Sequence, residues 1–66
     1  VRQRNLLAVR LVLEDHPEGL YPLQIMRRTR MLSGTLYPVL AHLEREGEIT
    51  SERHDDGRRL YRKVVS

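Results

Sequence analysis

The residues with reactive side chains are few and dispersed. His16, His42 and His54 lie far apart in the chain, and Glu44, Glu46 and Glu48 alternate around the end of a helix. General acid–base catalysis needs such groups to converge in one pocket with shifted pKa values, and this spacing does not bring them together. His54-Asp55-Asp56 contains metal-ligating residue types, but a consecutive polar run beside a glycine reads first as a solvated turn. With no Cys there is neither a disulfide nor a thiolate metal site. The chain therefore reads as not an enzyme. No catalytic residue, metal, cofactor or small-molecule ligand is expected.

The chemistry the sequence does favour is recognition of anions. Of the 12 cationic side chains all but Lys63 are arginine, against 9 acids, giving a net charge of +3. Arginine makes bidentate contacts to phosphates and base edges more readily than lysine. Positive charge gathers at the N-terminal tip, at Arg27–Arg30 and at Arg58–Lys63, whereas residues 33–48 set Arg45 against Glu44, Glu46 and Glu48. A charge run is ordinarily a solvated face; three clusters on one surface would be a footprint for nucleic acid.

Helices and a hairpin must position those clusters. Residues 2–15 are predicted helical, with Leu6, Val9, Val12 and Leu13 at helical spacing. His16-Pro17-Glu18-Gly19 ends that helix, and Leu20 is expected to be briefly extended. Pro22 suits the first position of a second helix carrying Leu23, Ile25 and Met26. Arg27, Arg28 and Arg30 crowd its C-terminal end, where cations also favour the helix dipole. A third helix is expected over 33–46, with Ser33 as N-cap, Leu36, Val39, Leu40 and Leu43 inward, Pro38 early in its course and Gly47 closing it. Strands are expected at 49–53 and 60–64, joined through an Asp56-Gly57 turn. Residues 1–66 thus form one α+β domain: three helices followed by a two-stranded β-hairpin, the outline of a winged helix-turn-helix.

In such domains the second helix of the helix-turn-helix enters the major groove. Here that helix begins with Ser33, Gly34 and Thr35, and its outer face carries Tyr37, Pro38, Ala41, His42 and Arg45. Ser33 and Thr35 can bond phosphates or bases, Gly34 admits close approach of a backbone, and Tyr37 offers a hydroxyl to a phosphate. Each also has a plain structural role: Ser33 as cap, Gly34 as turn, Tyr37 as a half-buried ring. His42 lies further along the same face. Arg58 and Arg59 follow the hairpin tip, where they can reach a phosphate or minor groove or else guard a sheet edge.

Ser33-Gly34-Thr35-Leu36-Tyr37-Pro38-Val39-Leu40-Ala41-His42-Leu43-Glu44-Arg45-Glu46-Gly47 resembles the recognition-helix stretch of PadR-like transcriptional regulators. Gly57-Arg58-Arg59-Leu60-Tyr61-Arg62 is similar to the wing strand of that family. The resemblance implies a winged-helix DNA-binding fold and repression by operator occupancy. It matches Pro38 to the family's proline after tyrosine, Thr35, Tyr37 and Pro38 to positions near DNA, and Arg58 and Arg59 to the wing. Residues 19–22, Gly-Leu-Tyr-Pro, depart from the family's usual second-helix sequence, and no counterpart of its C-terminal dimerisation helix stands within 1–66.

Sequence-specific binding of double-stranded DNA is accordingly the expected function, from a cytoplasmic regulator with Arg27, Arg28, Arg30, Ser33, Gly34, Thr35, Tyr37, Pro38, His42, Arg58 and Arg59 at the interface. A homodimer through the first helix and the chain termini is one way to cover two half-sites. Two alternatives stand beside it. One is a winged-helix protein-interaction module, which would show an exposed apolar patch. The other is an excisionase-like architectural factor that bends DNA. Apolar runs such as Leu11-Val12-Leu13 fall far short of the roughly 20 residues of a membrane span.

Overall fold

A computed structural model describes residues 1–65. It contains helices α1 (Gln3–Glu14), α2 (Pro22–Thr29) and α3 (Ser33–Arg45), then strands β1 (Ile49–Arg53) and β2 (Arg59–Lys63). The fold is the expected three helices and antiparallel hairpin. Ile49 pairs with Lys63 and Arg53 with Arg59 at the two ends of the ladder.

One contiguous core joins all five elements. Leu6, Val9 and Leu13 of α1 meet Ile25 of α2, then Leu36, Val39, Leu40 and Leu43 of α3, with Ile49 and Tyr61 from the hairpin. Met26 and Met31 pack against its edge. Every buried side chain is apolar or, for Tyr61, aromatic with its phenol pushed up in pKa by burial. A two-stranded hairpin alone is marginal in water. Here Leu20 joins it: its N–H donates to the Tyr61 carbonyl and its carbonyl accepts from the Tyr61 N–H, both at 2.9 Å.

Gly19 makes that junction possible. Its φ is +95°, and a Cβ there would stand 2.9 Å from both Arg62 Cγ and Leu60 Cγ. The third helix ends differently, in a Schellman arrangement: Gly47 N–H donates to Glu44 O at 3.1 Å and Glu48 N–H to Leu43 O at 2.9 Å.

Two local expectations are corrected. Ser33 is not the N-cap of α3: Leu32 is, with extended φ/ψ of −79° and 158°, and no side chain caps the end. Arg30 is left-handed (φ 62°), so the chain re-enters the helix one residue early and Leu32 O accepts from Thr35 and Leu36 N–H. The hairpin turn is His54–Gly57, closed by Gly57 N–H to His54 O at 2.9 Å, with Asp55 and Asp56 central. That compact turn starts β2 at Arg59, one residue before the expected strand. Pro38 removes the N–H that would bond Gly34 O, yet α3 continues through it.

Arg10 fixes α1 to the entrance of β1. Its Nε and Nη2 donate to Glu48 Oε1 and Oε2 at 2.6 and 2.8 Å. That bidentate bond holds the Glu48 carboxyl below its ordinary pKa. Because the folded pKa is depressed, the contribution is present above the unfolded value near 4.3 and is lost as pH falls through the folded value. Acid titration of Glu48→Gln is therefore expected to show lower stability at neutral pH and a shallower loss between about pH 5 and pH 3. Chemical denaturation of Gly19→Ala should show a loss of about 1–3 kcal/mol from the positive φ alone.

Candidate nucleic-acid interface

The outward face of α3 is largely unoccupied by the rest of the chain. Leu36, Val39, Leu40 and Leu43 are buried, while Ser33, Gly34, Thr35, Tyr37, Pro38, Ala41 and Arg45 are exposed. His42 is half-buried on the flank. Residues 34, 35 and 38 carry little side-chain bulk, which lets the helix backbone come close to whatever it meets. No side chain caps this end of α3, and the N–H groups at a helix start attract anions.

Two concavities reach this part of α3. In one, Val1, Arg2 and Asn5 line a groove with Gly34, Thr35, Pro38 and Val39. In the other, Tyr37 shares a groove with Tyr21, Pro22, Leu23, Gly57, Arg58, Arg59 and Tyr61. Two of the three basic clusters seen in the sequence thus flank the start of α3: the N-terminal tip and the wing. Arg2 and Asn5 were absent from the expected interface. The N-terminal charge was legible, but only the packing of α1 beside α3 brings it there.

The wing is held by a polar cluster centred on Tyr21. His54 sits edge-on to its ring, with centroids 5.5 Å apart, and Arg58 stacks over the ring at 4.0 Å. Nδ1 of His54 is hydrogen-bonded with the Tyr21 hydroxyl at 2.8 Å, and its Nε2 lies 3.4 Å from Glu52 Oε1. Asp56 bonds both the backbone N–H and the Nε of Arg58, which holds the Asp56 carboxyl below its ordinary pKa. These contacts direct His54 and Asp56 inward to the wing. Among the described residues no group of three metal-ligating side chains converges. Tyr21 carried no sequence signal for this role, because its partners come from 33 and 37 residues downstream.

The cations of the expected interface divide into engaged and open ones. Arg58 is engaged by Asp56 and Tyr21. Arg59, also exposed, donates from Nη1 to Ser51 Oγ at 3.0 Å, and Ser51 Oγ–H donates to Glu44 at 2.7 Å. Arg28 donates to His16 Nε2 at 3.2 Å and Gln24 O at 3.4 Å. Arg27 and Arg30 are exposed at the end of α2, immediately before the turn into α3. The acids are largely occupied within the fold: Glu44 on Ser51 and Glu48 on Arg10.

Tyr21→Phe keeps the ring beneath Arg58 and removes the bond to His54. Hydrogen exchange should show the hairpin amides opening faster, with a global loss of about 0.5–1.5 kcal/mol by denaturation. No protein-family model, curated protein or solved structure matches this chain.

Proposed function

We propose that the chain binds double-stranded DNA sequence-specifically as a cytoplasmic transcriptional regulator, a repressor by operator occupancy, as its resemblance to PadR-like regulators implies. The start of α3 enters the major groove, about 12 Å wide and able to admit a helix. The hairpin wing lies along the adjacent backbone or minor groove.

The observation that carries this reading is the small, donor-rich start of α3 between two arginine-bearing grooves. Arg2 on one side and Arg59 on the other are set to grip phosphates while Thr35, Tyr37 and Pro38 meet the groove. Gly34 adds a second support. Its φ is not positive and open space surrounds it, so neither conformation nor internal packing calls for glycine. A glycine in a helix costs about 1 kcal/mol relative to alanine. Close approach of a nucleic-acid backbone accounts for it.

The protein-interaction alternative looks for an exposed apolar patch. Exposed leucines stand on α1, Leu7 and Leu11, and also beside α3, where Leu23 and Leu32 accompany Tyr37; the arginines that share the Tyr37 groove favour an anionic partner there.

Fluorescence anisotropy against a random duplex pool at about 50–200 mM salt, with sequencing of the bound fraction, tests the reading. Steep salt dependence and an enriched motif are expected; absence of binding at the lowest salt rejects it. Arg59→Ala should flatten the salt slope by about one and weaken all sequences alike, while Thr35→Ala shifts the preferred motif. Gly34→Ala is expected to stabilise the fold by up to about 1 kcal/mol and to weaken binding at least about tenfold.

A further inference from the structure

Helix α1 carries a second stripe on the side away from its buried Leu6, Val9 and Leu13. Leu7 and Leu11 are 53% and 51% exposed there. Arg4 stands three residues before Leu7, and Glu14 three residues after Leu11. Steps of three, four and three form the seam of a two-stranded coiled coil.

The charges at its ends run against the helix. In α1 the first turn has no acid and the last turn no base. Arg4 lies near the positive end of the helix dipole and Glu14 near the negative end, each the unfavourable sign. Lys63 of the same chain offsets the sign at Glu14, but Arg4 has no such partner among the described residues; a facing antiparallel helix supplies one.

We propose that α1 docks on α1 of a second copy of this chain, antiparallel, about a two-fold axis between Leu7 and Leu11. Leu7 then meets the partner's Leu11, and Arg4 meets the partner's Glu14, each contact occurring twice. The two helix dipoles oppose each other favourably as well. A parallel pair would set arginine on arginine and glutamate on glutamate, so the charge order selects the antiparallel one. Lys63, whose Nζ is 3.7 Å from Glu14, borders the seam and adds a second cation to that carboxylate. With two leucines a side the contact is small, and the pair is weak in free solution, on the order of 100 μM. The N-terminal end of α1 adjoins the start of α3, so the pairing puts the two α3 starts at opposite ends of the seam. The proposal itself does not rest on DNA binding.

Sedimentation equilibrium without DNA tests it, using wild type, Arg4→Glu, Glu14→Arg and an equimolar mixture of the two variants. Wild type should associate over roughly 10–1,000 μM. Each variant alone faces like charges across the seam and should associate at least tenfold more weakly. The mixture restores opposite charges at both ends and should recover association to near the wild-type level. Circular dichroism should show both variants folded; Arg4→Glu suits the helix dipole, while Glu14→Arg sets the same gain against the loss of its pair with Lys63. Wild type that stays monomeric to about 1 mM overturns the proposal. So do variants that associate like wild type, as through another face, or a mixture no stronger than its components.

Discussion

The two reciprocal hydrogen bonds between Leu20 and Tyr61 tie the hairpin to the segment that leads into α2. They give the hairpin a third, one-residue strand and place Tyr61 in the core beside Leu20. The neighbours of Leu20 extend the same joint. Gly19 admits Leu60 and Arg62 at close range, and Tyr21 both begins α2 and supports Arg58 and His54. Three consecutive residues thus set the position of the wing relative to α3. Distortion here would move the arginines of the hairpin away from Tyr37 without touching either.

Charge in this chain is largely local. Arg10, Arg58, Arg62 and Lys63 each face a carboxylate of the chain, on Glu48, Asp56, Glu52 and Glu14. Exposed pairs of this kind contribute little to stability and are screened by salt. The Arg10 pair is the better placed, being bidentate and partly shielded. The other pairs set where arginines point before any partner arrives. Arg58 must loosen its grip on Asp56 to meet a phosphate fully, whereas Arg59 need only leave a serine hydroxyl.

Apolar spacing made the helices legible in the sequence: Leu6, Val9 and Leu13, then Leu36, Leu40 and Leu43, are buried where their periodicity puts them. The change of period at Ile49 marked the first strand. What the sequence hid was set by backbone conformations and distant partners. Arg30 in a left-handed conformation shifted the α3 cap from Ser33 to Leu32, and propensity alone favours the serine. The hairpin turn, His54–Gly57, contains the expected Asp56 and Gly57, and Asp56 bonds the Arg58 N–H just before β2 begins, one residue earlier than its apolar pattern suggests. At the site, the face of α3 followed from its period. The convergence of Arg2 with Thr35, and of Tyr21 with Arg58, required knowing how α1 and the hairpin pack.

Arg30 carries a consequence for the history of such a sequence. A non-glycine residue at φ 62° occupies sparsely populated backbone space, one step before the helix with the open face. Glycine would relieve that strain and erase a guanidinium. Keeping arginine leaves a more stable sequence one substitution away and unused. Selection acting on folding alone would drift toward it; selection acting on a charged surface would hold the strained residue in place.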